Sequence, residues 1–154
     1  MPEVVAATAT PIVVDDHLLL RVLLGDEPPE LRPDHGPTFI TGLWYHRACR
    51  AVASPTVVGA LSRRLGAADP AVGAAAVGAV IRLPEDIGLV SLRDLAWPMA
   101  RLLDGGVRLN LLALEALAAA EHLGAELCLA DVDDNPPLRS AAAARGVTTR
   151  LISG

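Results

Sequence analysis

Five short apolar runs, "PIVV", "TFIT", "DIGLVSL", "AELCLAD" and "VTTRLI", are separated by longer segments whose apolar residues recur at helical spacing. That alternation is the strongest constraint on the fold. A strand joined to a parallel neighbour through a helix has both of its faces covered, so it carries continuous apolar side chains and not an in–out pattern. The pattern predicts an α/β three-layer sandwich with a central, mostly parallel sheet flanked by helices. At 154 residues the chain suits one domain with a substantial core. Residues 1–10 read as an N-terminal extension and residues 11–154 as the single domain.

The segments between these runs carry their own start and stop signals. "HLLLRVLLG" is predicted as a helix that Asp15 or Asp16 can cap, and residues 26–37 as a loop rich in proline and charge. "GLWYHRACRAVA" follows as a helix. Ser54 and Pro55 are placed to open another, and 70–83 a further one weakened by its glycines. In "LRDLAWPMARLLDGG", Pro98 is expected to mark the first turn or a kink, with Gly105 and Gly106 ending the helix. Asn110 can cap "LLALEALAAAEHLG", which has the clearest amphipathic spacing in the chain, and "NPPLRSAAAARG" is a short final helix.

Charge and composition narrow the functional classes. Thirteen basic residues against 18 acidic ones give a net charge of −5, which argues against general affinity for nucleic-acid phosphates. Aromatic residues make up 3% of the chain, too few to offer many stacking platforms for single strands. No apolar run reaches the length of about 18 residues that a membrane span requires. The first residues lack the basic stretch of a secretory signal. Cys49 and Cys128 are far apart and outside any CxxC spacing, so reduced thiols in a cytoplasmic protein are expected.

In an open parallel sheet, ligands bind beyond the carboxyl ends of the strands, near a switch in strand order. Asp15 and Asp131 fall at two such ends, with Asp133 and Asp134 close behind. Together they make a candidate divalent-cation site, because magnesium takes hard oxygen ligands and can be held by one or two carboxylates. A plainer reading stands beside this one. An aspartate between a strand and a helix also serves as a cap, and "DVDDNPP" also reads as an ordinary acidic turn. Asp16 is expected to be the exposed cap, and Asp15 the site residue. His17 and His122 are expected on helix surfaces, and Trp97 and Met99 in the core.

Three stretches in this order resemble a PIN-like domain of the VapC-type toxin ribonuclease family: "IVVDDHLLLRVLLGDEP", "VRLNLLALEALAAAEHLGAELCLAD" and "PPLRSAAAARGVTTRLI". The resemblance implies a catalytic aspartate at Asp15 and a second acidic position at Asp131. In that family a quartet of acidic side chains holds magnesium or manganese ions that activate water to cut RNA. Two positions of the quartet depart from acidity here. Tyr45 or His46 stands at one and Ala113 at the other, with Glu115 about 200° further round the helix and neutral Asn110 one turn earlier. The resemblance therefore implies a degenerate site with a weakly held magnesium or manganese ion at Asp15 and Asp131. Asp134 and Glu115 are further metal candidates, and His46, Asn110 and Arg47 are substrate-facing ones. The implied function is a binding or regulatory module of toxin–antitoxin type. It would form a homodimer and act through an antitoxin-like or DNA-binding protein partner. The alternative is an active metal-dependent endoribonuclease with RNA as substrate.

Overall fold

The computed structural model of the chain describes residues 8–54 and 60–153. Strand β1 (Ile12–Val14) leads into helix α1 (Asp16–Leu23). After the loop come β2 (Thr38–Thr41), α2 (Gly42–Ala53), α3 (Ala60–Ala67) and α4 (Pro70–Ile81). The chain continues through β3 (Ile87–Val90), α5 (Leu92–Asp104), α6 (Leu111–Leu123) and β4 (Glu126–Ala130). A 3-10 turn (Asp131–Asp133), α7 (Pro136–Ala144) and β5 (Thr149–Ile152) complete it. The strands pair in the order β3-β2-β1-β4-β5, all parallel. The expected α/β sandwich is therefore present, and its sheet is parallel throughout.

Strand order decides where the helices go. From β1 the chain moves outward through β2 to β3, then returns across the sheet to β4 and moves the other way to β5. Right-handed crossovers place connections that run in opposite directions on opposite faces. Accordingly α1 packs with α2 and α4 in one layer, while α6 packs with α5 and α7 in the other. All three residues of β1 are buried, as expected of the central strand of a sheet covered on both sides.

Helix α6 differs from its expected amphipathic character. Every residue from Ala113 to Ala120 is buried. The helix lies against β1, β2 and β4 and touches α5 and α7, so it is the central helix of its layer. Its alanines allow this close approach. Asn110 caps it as expected, accepting from the Ala113 N–H at 2.9 Å, and Gly124 ends it in the left-handed conformation at φ 60°.

Helix α4 runs unbroken through its glycines, begun by Pro70 and by Asp69, whose side chain accepts from Ala71 and Val72 N–H. Pro98 lies inside α5 and not in its first turn. The expected opening at Ser54 and Pro55 runs into residues 55–59, outside the described residues. The loop of residues 26–37 is pinned by Arg150 on β5, which donates to the Glu30 and Leu31 carbonyls and to Glu126 on β4. Leu31 is buried beneath it. Met99 is in the core, but Trp97 is 72% exposed on α5. No described helix is long and apolar enough to cross a membrane.

Candidate metal centre

Strand order reverses at β1, because β2 and β4 flank it and lead in opposite directions. The crevice beyond the carboxyl ends of β1 and β4 is thus the position where an open parallel sheet binds its ligand. Asp15 follows β1 directly and is fully buried. Its Oδ1 accepts from the Leu18 N–H at 2.9 Å and so caps α1; its Oδ2 accepts from the Ala130 N–H at 2.8 Å, at the end of β4. One carboxylate therefore closes a helix terminus and bridges the reversal. Burial pushes the Asp15 carboxyl up to about 7, against the two N–H donors that favour its charged form.

Asp16 and Asp15 exchange the roles expected of them. Asp15 is the cap, and Asp16 is fully buried instead of exposed. Neither Asp16 oxygen accepts a hydrogen bond. Arg47 on α2 approaches with its Nε 2.9 Å from Asp16 Oδ2, an ion pair without hydrogen-bond alignment, and its Nη2 lies 3.4 Å from Asp133 Oδ2. His17, expected on the surface, is also buried. Ligating atoms of Asp16, His17 and Asp133 lie within 4.8 Å of one another, a grouping that can hold a metal ion. Burial raises the Asp16 carboxyl, and Arg47 and His17 oppose the rise.

Buried polar atoms without a hydrogen bond are rare in folded proteins. Among the described residues such side-chain atoms occur on Asp16, Thr41 and Trp44. Thr41 ends β2 and Trp44 sits in the first turn of α2. All three residues therefore belong to the carboxyl edge of the sheet.

The remaining candidates are placed elsewhere. Glu115 is buried on α6, and its Oε2 accepts from the Leu43 N–H at 2.9 Å. It supplies the negative charge at the start of α2 that the Thr41 side chain does not. An added Cβ on Gly42 would stand 3.3 Å from Glu115 Oε1, so the glycine leaves room for this contact. Asp131 is exposed at the start of the 3-10 turn and outside the metal-capable group. Asp134 is tied to Arg139 by two hydrogen bonds of 2.7 and 2.9 Å, and that arginine holds its carboxyl below the usual range. His46 is exposed. Asn110 spends its side-chain oxygen on its cap. Of the expected substrate-facing residues, only Arg47 enters the site. Nothing in the sequence marks its pairing with Asp16, since 31 positions separate them.

Two-metal hydrolysis needs carboxylates free to clamp ions about 4 Å apart. Most of the candidate carboxylates here already hold protein donors. Asp15 and Glu115 are committed to backbone N–H groups, and Asp134 to Arg139. Asp16 and Asp133 share a guanidinium between them. What is left is a small site of two carboxylates and one imidazole. No protein-family model matches the chain, and no curated protein matches it.

Proposed function

We propose that this chain is a PIN-like domain of toxin–antitoxin type that acts by binding a protein partner and does not cut RNA by a two-metal mechanism. The observation that carries the reading is the engagement of Asp15. Both of its carboxylate oxygens accept backbone N–H groups at the strand-order reversal, so Asp15 serves there as a staple between α1 and β4. Arg47 supports it further, since its guanidinium pairs with both Asp16 and Asp133.

A partner surface is supported by the apolar side chains on one side of α5. Leu92, Trp97 and Leu103 are all exposed, and Ala96 and Ala100 lie exposed between them. Exposed aromatic residues of this kind are characteristic anchors of protein interfaces. The antitoxin-like or DNA-binding partner and the homodimer belong to this proposal.

A second reading, a working magnesium- or manganese-dependent endoribonuclease, is favoured by the proximity of Asp16, His17 and Asp133. Incubating purified protein with mixed-sequence RNA in magnesium, in manganese and in EDTA separates the two, with Asp16→Asn run alongside. Cleavage no greater than that of the variant is the expected result. Metal-dependent cleavage that disappears in Asp16→Asn would replace the binding module with the enzyme.

A further inference from the structure

We propose that Asp16, His17 and Asp133 hold a single divalent first-row transition-metal ion, of the manganese or zinc class, and that Arg47 is the resident cation this ion displaces. The inference rests on the binding-module reading and adds a means of regulation at the same site.

The ligands come from two elements. Asp16 and His17 occupy the first turn of α1, and Asp133 closes the 3-10 turn after β4. An ion held by all three would tie α1 to the end of β4, across the break in strand order. Such an ion draws its donors to distances of about 2.0–2.2 Å from itself. The ligating atoms, within 4.8 Å of one another, must therefore close inward, and Asp133 is the movable member because its side chain is 34% exposed.

The state of Asp16 is an independent observation that a ligand belongs here. Its side chain is fully buried, and both oxygens have lone pairs that no hydrogen bond uses. Arg47 neutralises that charge without satisfying those lone pairs. A metal ion would use them directly. Charge balance points the same way: Asp16 and Asp133 carry two negative charges, Arg47 returns one, and a divalent ion cancels both.

The donor set selects the class of ion. Magnesium and calcium favour all-oxygen shells, whereas an imidazole beside carboxylates suits manganese, iron, cobalt or zinc. Arg47 is free to leave, because its side chain is already 35% exposed and the long stem lets the guanidinium reach water. Its release adds a positive charge to α2 near Arg50, which is exposed three positions further on. Occupancy of the site would thereby alter the charge of the α2 surface, in the layer opposite the α5 face.

Manganese titration followed by electron paramagnetic resonance tests this on the full chain, since bound ion loses the sharp signal of free ion. One ion per chain is expected for the wild type. Arg47→Gln should bind at least about tenfold more tightly, and Asp133→Asn at least about tenfold more weakly. Arg47→Lys retains the charge and should show no comparable gain, which separates loss of charge from loss of shape. Magnesium in large excess should leave the manganese in place. Asp133 is partly exposed, so its variant is expected to fold, and circular dichroism checks that it does. No stoichiometric uptake by the wild type overturns the proposal. So does an Arg47→Gln chain that binds no more tightly, or an Asp133→Asn chain that binds equally well. RNA cleavage by the wild type would instead count against the binding-module reading and leave these titrations to be judged on their own result.

Discussion

Asp15 and Ala130 meet across the reversal of strand order, with the Ala130 N–H donating to Asp15 Oδ2 at 2.8 Å. The other Asp15 oxygen holds the first turn of α1. A single buried carboxylate thus joins β1, α1 and β4, and its neighbour Asp16 is the one left facing the metal-capable group.

Replacing Asp15 by Asn should cost stability and leave manganese affinity largely intact. The amide offers one acceptor, and its NH2 group meets the other backbone N–H. Leaving a buried donor unsatisfied costs about 1–3 kcal/mol. Urea denaturation should show a lower midpoint at unchanged slope. Loss of metal binding with no change in stability would show that Asp15 is a ligand and not a staple.

The pH dependence of stability follows from the same residue. Its carboxyl lies at about 7 in the folded chain against an ordinary value of 3.8. The folded state therefore binds this proton more tightly than the unfolded state. The contribution is fully present below about 4, declines as pH rises, and is lost once pH passes about 7. Asp16 is displaced in the same direction, chiefly by burial. The melting temperature is expected to be higher at pH 5 than at pH 8, with a smaller difference in Asp15→Asn. A flat wild-type profile over that range would contradict the assignment.

Glu115→Ala should destabilise the chain by about 1–3 kcal/mol, because the Leu43 N–H at the start of α2 loses its carboxylate acceptor. Glu115→Gln keeps an acceptor oxygen and should cost less, mainly the helix-dipole attraction of about 0.3–1 kcal/mol. Chemical denaturation of both variants checks the order. Equal losses would assign the effect to packing instead of capping.

Gly88→Ala should also be destabilising, although alanine is otherwise tolerated in strands. An added Cβ would stand 2.3 Å from Phe39 Cδ1 on the neighbouring strand β2. Overpacking of this kind costs about 1–3 kcal/mol. The double variant with Phe39→Leu should recover part of the loss in the same denaturation assay, and no recovery would place the strain elsewhere.

Most element boundaries were legible from local pattern. "TFIT" and "GLWYHRACRAVA" coincide with β2 and α2, because four apolar or β-branched residues followed by a helical repeat leave little competition between conformations. Asn110 announced its own cap by position. The spacing of α6 reads as amphipathic because its small alanines hide how much of a helix can be enclosed. Periodicity describes one helix alone, and a helix surrounded by a sheet and two neighbours has no outer face. Trp97 shows the converse error, since a large apolar residue need not be buried when its helix lies at the surface.

The alternation of apolar strands and helical segments was sufficient to specify a parallel α/β domain, since local periodicity and steric crossover rules act within short stretches of chain. The chemistry of the "DDH" run was beyond that range. Asp15 became a staple only because β4 brought the Ala130 N–H to it, and Asp16 became buried and ion-paired only because α2 brought Arg47. Hydrogen bonds and ion pairs act over a few ångströms in space, whatever the separation along the chain. The assignment of two adjacent aspartates to opposite roles therefore belongs to the tertiary structure.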